Sequence, residues 1–116
     1  MARPKWLDDP STRARSGKQE NKLAKKFKGH TTINSGALFQ KNDVWSKAFS
    51  IEAKTTKYMR YSITEKMMDE ITKHASKQQK IGILVVDFED GKKGSYVTLN
   101  MSDFMYLFEE LNDVRR

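Results

Sequence analysis

The sequence predicts an α/β fold in which a mixed β-sheet is flanked by helices. Phe49, Ile51 and Ala53 alternate with Ser50, Glu52 and Lys54, the period of a half-buried strand. Ile81 to Phe88 is a nearly continuous apolar run of eight residues, the pattern of a strand covered on both faces. Around and between these runs, apolar residues recur at i and i+4, as in Leu23 and Phe27 or Ile63, Met67, Ile71 and Ala75. The order is helix, two or three strands, helix, two strands, helix, which is that of a mixed-sheet sandwich.

Residues 1–17 carry both prolines, a Ser/Thr/Gly cluster and no periodicity, and read as a flexible basic arm preceding one domain over 18–116. Arg3, Lys5, Arg13 and Arg15 would lie along phosphates, and Trp6 would stack on a base or cap the core. Lys18 to Lys28 reads as an amphipathic helix ended by Gly29. Glu20 stands three residues before Leu23 and seven before Phe27, so a carboxylate shares the inward face. Thr31 to Ile33 starts a short strand, and Leu38 and Phe39 fit a second running toward Asp43, with Lys41-Asn42 as an alternative turn.

The strand from Ala48 to Lys54 turns Phe49, Ile51 and Ala53 to the core, so Glu52 and Lys54 project together from the other face. Ser62-Ile63-Thr64-Glu65 has the form of a capping box before a helix reaching about Gln79. Glu89 to Gly94 is a charged, Gly-containing turn, and Ser95 to Leu99 returns antiparallel to the apolar run. Ser102 or Asp103 caps a last helix with Phe104, Leu107, Phe108 and Leu111 as its buried stripe. His30 and His74 have no ligand spacing and read as structural or solvent-facing.

Length and composition narrow the function classes. A chain of 116 residues holds one modest core, and its lack of cysteine excludes a disulfide scaffold, a thiol nucleophile and a thiolate zinc site. No apolar run approaches the roughly 18 residues of a membrane span, and the start lacks a signal-peptide stretch. A cytoplasmic protein with no membrane partner is the expectation. The net charge of +7 divides unevenly: +6 over residues 1–30, +4 over 31–80 and −3 over 81–116. A basic first two thirds points to a polyanionic partner such as DNA.

Within that basic frame Asp43, Glu52 and Lys54 form a candidate catalytic constellation. Eight residues separate the first two and one separates the last two. Hydrolysis of a phosphodiester with a divalent metal needs hard oxygen ligands for Mg²⁺ or Mn²⁺. Asp43, Glu52 and a strand carbonyl at Ala53 would supply them, with Glu20 as a further ligand. The ion would polarise the phosphate and acidify water, while Lys54 would orient that water or offset charge on the phosphate. Glu-x-Lys occurs twice, but Glu20-Asn21-Lys22 falls in a helix, where residues two apart do not share a face.

Taken together, Asn34-Ser35-Gly36-Ala37, Lys41-Asn42-Asp43-Val44, Ile51-Glu52-Ala53-Lys54-Thr55-Thr56 and Tyr61-Ser62-Ile63-Thr64 resemble the small PD-(D/E)xK nucleases. The pattern looks most like the phage-encoded and archaeal-type Holliday junction resolvases, over about Gly17 to Phe88. The resemblance implies a restriction-endonuclease-like core and a homodimer that cuts four-way or other branched DNA with Mg²⁺. It implies a metal site at Glu20, Asp43 and Glu52 with Lys54 beside it, and a DNA-contacting serine at Ser35. Asn42 stands where the family name has proline, and Asn21 and Thr31 stand where archaeal-type resolvases carry arginines.

Arg13, Arg15, Lys18, Thr55, Lys57, Tyr58 and Arg60 complete the expected DNA surface. Lys57-Tyr58-Met59-Arg60-Tyr61 interleaves cations with aromatics, either to follow a phosphate backbone and stack on bases or as a loop whose tyrosines finish the core. Two other functional readings stand beside the junction nuclease. One is a non-catalytic nucleic-acid-binding module; the other is a nuclease of the same fold acting on duplex, nicked or single-stranded DNA.

Overall fold

The computed structural model describes residues 12–32 and 42–115. Their elements are α1 (Thr12–Lys26), β1 (His30–Thr31), β2 (Val44–Trp45), β3 (Phe49–Thr56), α2 (Glu65–Ser76), β4 (Ile81–Phe88), β5 (Ser95–Leu99) and α3 (Met101–Arg115). The five strands form one sheet in chain order. β3 and β4 are parallel, and every other neighbouring pair is antiparallel. The fold is therefore α/β with a mixed sheet flanked by helices. Among the described residues no helix is long and apolar enough to cross a membrane.

Alternation along β3 and β4 assigns the two faces. On one face Leu23 of α1 packs with Val44, Ile51, Ala53, Ile83 and Val85. On the other, Ile71 of α2 packs with Leu84 and Val86, and Tyr61, Met67, Met68 and Phe88 lean against them. β4 is consequently buried over Gly82 to Asp87, as its apolar run predicts. Ile51, Leu84, Val44 and Val85 are its largest fully buried neighbours and members, each contributing about 1.5–3 kcal/mol by leaving water.

Two glycines permit the close approach of these layers. A Cβ on Gly82 would lie 2.7 Å from the Ile71 carbonyl oxygen and 3.1 Å from Ala75 Cβ, so α2 rests directly on the β4 backbone. A Cβ on Gly29 would lie 2.1 Å from the Trp45 carbonyl oxygen, which lets the turn after α1 run against β2. Lys28, with φ of 54°, takes the left-handed position that closes α1, and the Gly29 N–H then bonds the Ala24 carbonyl at 2.7 Å.

Several boundaries differ from the expected ones. α1 begins at Thr12 and not Lys18, so Arg13 and Arg15 belong to the helix and not to an arm. Arg, Ala and Gln are good helix formers, and Gly17 has open space around it, so the helix passes through it at a cost of about 1 kcal/mol. α2 is capped by Thr64, whose hydroxyl accepts from the Met67 N–H at 3.1 Å, so the Ser62 capping box does not form. α3 is capped by Asn100, whose side-chain oxygen accepts from the Asp103 N–H at 3.1 Å, in place of Ser102 or Asp103.

The largest correction concerns the last stripe. Phe104, Phe108 and Leu111 are 49%, 45% and 48% exposed, and only Leu107 is half-buried. The expected second strand at Leu38 and Phe39, Trp6 and Ser35 lie outside the described residues.

Candidate active site

Three elements bring the candidate residues together. β3 carries Glu52 and Lys54 on one face, two positions apart, both half-buried. β2 begins at Val44, paired with Ile51, so Asp43 stands just before that short strand, beside the middle of β3. There the Asp43 carboxylate accepts from the Ala53 N–H at 3.0 Å. A strand residue projects its N–H and C=O from the same edge, so the Ala53 carbonyl faces the same side as Asp43. Glu20 reaches the group from α1, close enough for its charge to interact with those of Asp43 and Glu52.

Electrostatics marks this cluster. Glu52 is pushed up to about 8, first by burial, then by a hydrogen bond and charge repulsion from Asp43, with Lys54 opposing and Glu20 adding to the rise. Glu20 is also raised, by burial and then by the Asp43 charge and hydrogen bond, again against Lys54. Carboxylates this close oppose one another's ionisation, so Glu52 and Glu20 hold their protons more tightly than isolated side chains would. The arrangement is two carboxylate pairs meeting at Asp43. Among the described residues no three His, Cys, Asp or Glu side chains stand as a finished metal-holding group.

The donor set nevertheless fits one kind of group. All of its side-chain donors are oxygen, they repel one another, and a single ammonium faces them, which suits a hard divalent cation and not a soft one. Asp43 and Glu52 would hold it with the Ala53 carbonyl, and Glu20 would complete the set directly or through water.

Two buried amides hold Glu20 and Asp43 in register, and sequence reasoning missed both. Gln19, 5% exposed, donates from Nε2 to the Lys54 carbonyl at 2.6 Å and so ties the residue before Glu20 to β3. Asn42, 3% exposed, donates from Nδ2 to Ser50 Oγ at 2.8 Å and to the Ile71 carbonyl at 3.3 Å, tying the residue before Asp43 to β3 and α2. Asn42 is thus a buried cross-link. Gln19 had a signal, since it lies four residues before Leu23 on the inward side of α1; Asn42 had none.

The expected DNA surface divides. Lys18, Lys57, Tyr58 and Arg60 are exposed, with Tyr58 73% exposed. Thr55 lies on the opposite face of β3 from Glu52 and Lys54, and its hydroxyl donates to Asp90 Oδ1 at 2.8 Å. Of the two tyrosines in the interleaved segment, Tyr58 lines an open cavity of about 430 Å³ with Met59, Phe88 and Tyr96, whereas Tyr61 packs into the α2 core. The core-finishing reading of that segment therefore holds for Tyr61, while Tyr58 stays exposed. Asp87, hidden in the apolar run, is buried and accepts from the Ser95 hydroxyl.

Compared with protein-family models the chain finds no match. Compared with curated proteins it finds none either.

Proposed function

We propose that this chain is a Mg²⁺-dependent endodeoxyribonuclease with a restriction-endonuclease-like core, acting on branched DNA in the manner of the Holliday junction resolvases it resembles. The observation that carries the reading is the meeting of Glu20, Asp43 and Glu52 around Lys54 inside a chain of net charge +7. A protein that only binds DNA gains nothing from converging carboxylates, because each repels phosphate. Their convergence becomes favourable when a cation lies between them and the phosphate.

Mg²⁺, when bound, would supply Lewis-acid polarisation of the phosphate and a lowered pKa for water. The remaining work falls to the chain. The Ala53 N–H fixes the Asp43 carboxylate, so a ligand oxygen is held without reorganisation. Lys54 sits one strand repeat from Glu52 on the same face and places positive charge where the attacked phosphate gains negative charge. Hydrolysis adds water across one P–O bond, leaving a phosphate on one fragment and a hydroxyl on the other. Lys18 and Lys22 on α1 and Arg60 beyond β3 are exposed and provide the sequence-independent phosphate contacts.

The test is incubation with labelled four-way junction, linear duplex, nicked duplex and single strand, each in Mg²⁺ and in EDTA. Metal-dependent cutting that favours the junction is expected. Equal cutting of duplex or single strand retains the nuclease and changes its substrate; no metal-dependent cutting of any substrate leaves a binding module.

A further inference from the structure

We propose that the cavity between the segment after β3 and the turn joining β4 to β5 receives one unpaired nucleobase, so that the chain prefers DNA with an unstacked nucleotide near the cut. This rests on the nuclease reading above and adds to it a feature of the substrate. Tyr58 and Met59 line the cavity of about 430 Å³ from the first segment, and Phe88, Glu89, Lys93 and Tyr96 line it from the second. Tyr58 and Tyr96 are 73% and 61% exposed, yet their surroundings are fixed. The Tyr96 ring lies edge-to-face on Phe88 with centroids 5.8 Å apart, and a Cβ on Gly94 would lie 3.3 Å from it. The Phe88 N–H bonds the Gly94 carbonyl at 3.0 Å and the Lys93 N–H bonds the Phe88 carbonyl at 3.2 Å, which closes the turn. The Tyr58 N–H donates to Thr56 Oγ1 at 3.1 Å and ties the other segment to the end of β3. Exposed rings on a fixed backbone lose little freedom when a base stacks on them.

Chemistry selects the occupant. A base that leaves the helical stack loses the cover of both its π-faces, and aromatic side chains replace that cover whatever the sequence. Lys92 and Lys93 on the turn and Arg60 beyond Tyr58 are exposed and supply cations for the phosphates on either side of such a base. Glu89 offers an acceptor to the amino and imino groups that an unpaired base no longer gives to its complement. A paired base has its faces and its edge already occupied. The register also sets the cavity beside the catalytic candidates. Lys54 pairs with Val86, and Val86 with Tyr96, so Tyr96 stands on the same face of the sheet as Lys54 and Glu52, two strands away. Neighbouring strands lie about 4.8 Å apart, which puts Tyr96 roughly 10 Å from Lys54 across the sheet. A strand with its phosphate at the acids therefore has a neighbouring base within reach of the cavity.

The experiment uses the full chain in Ca²⁺ without Mg²⁺, with a perfect duplex, the same duplex bearing a single-nucleotide bulge, and that bulge carrying 5-iodouracil. Anisotropy should show the bulged duplex bound about 10-fold more tightly than the perfect one. Tyr58→Ala and Tyr96→Ala should each lower that preference by about 5-fold, while Tyr58→Phe and Tyr96→Phe keep it, all four with the far-UV circular dichroism of the wild type. Irradiation of the wild-type complex should join the iodouracil to Tyr58 or Tyr96, located by mass spectrometry, a readout that needs no substitution. Equal affinity for the two duplexes, a preference that survives both alanine substitutions, or a cross-link that forms at neither tyrosine would overturn the proposal. The outcome is separable from the nuclease reading: cutting in Mg²⁺ without the preference keeps the nuclease and removes the base site, and the preference without cutting keeps the base site and removes the nuclease.

Discussion

The middle of β3 and the outer face of α3 place residues in opposite wrong environments. Glu52 is a carboxylate kept half out of water beside two other acids, whereas Phe108 is an aromatic ring kept 45% in water beside other apolar groups. Neither position favours the isolated chain: the first raises the proton affinity of Glu52 to about 8, and the second forgoes apolar burial of about 25 cal/mol for each Å². On the proposed reading the acids lack a complement of opposite charge, which a divalent cation would supply, whereas the exposed stripe lacks apolar cover.

The strongest way to break this comparison acts on β3 alone. Glu52→Gln and Lys54→Ala should each lower cleavage by about 10³-fold or more while DNA affinity stays within a few-fold, measured by gel assay and by anisotropy in Ca²⁺. Neither should alter the sedimentation of the protein, because the two regions are separate. Cleavage retained in both variants would remove the active-site assignment.

A smaller effect tests the amides. Asn42→Ala leaves Ser50 Oγ and the Ile71 carbonyl without their donor, so it should cost about 1–3 kcal/mol in denaturant unfolding and also slow cleavage, since Asp43 loses its anchor. Stability unchanged in this variant would show that Asn42 does not organise the site.

The pH dependence of stability sharpens the electrostatic half. Folding raises Glu52 from its ordinary 4.5 to about 8, so the folded state binds a proton that the unfolded state has released over that interval. The contribution of this group is fully present below about 4.5 and is lost as pH rises through about 8; raised Glu20 acts in the same direction. In EDTA the melting temperature should therefore fall between pH 5 and 8.5, Glu52→Gln should flatten the slope, and Mg²⁺ should do the same in the wild type. A melting temperature that rises over this range in EDTA would contradict the clustering of the acids.

The smallest expected effect concerns α1. Arg13→Ala with Arg15→Ala should reduce the slope of log affinity for duplex against log salt by about 2, since each lost phosphate contact releases about one fewer counterion. An unchanged slope would take the start of α1 out of the DNA surface.

Much of this architecture was legible because periodicity reports burial. β3, β4 and β5 fall where alternation and the continuous apolar run put them, and Glu20 turns inward as its spacing from Leu23 and Phe27 requires. The start of α1 was hidden because Arg13, Ala14 and Arg15 carry helix propensity without an apolar stripe. Thr64 displaced Ser62 as a cap because a capping box specifies residue types and not which of two hydroxyls, two positions apart, precedes the first helical turn. The α3 stripe was read as core because a helical apolar pattern is identical whether its cover comes from the same chain or from another. Gln19 and Asn42 escaped because a polar side chain that hydrogen-bonds in the interior looks in sequence like one at the surface.

The central claim is that the carboxylates at β3 form a divalent-cation site, and Mn²⁺ titration followed by electron paramagnetic resonance tests it most directly. The wild-type chain should reduce the free-Mn²⁺ signal at neutral pH, with Asp43→Asn and Glu52→Gln each losing most of that binding and Phe104→Asp with Phe108→Asp keeping it. Equal Mn²⁺ binding by the wild type and both acid variants, or none by the wild type, would contradict the claim.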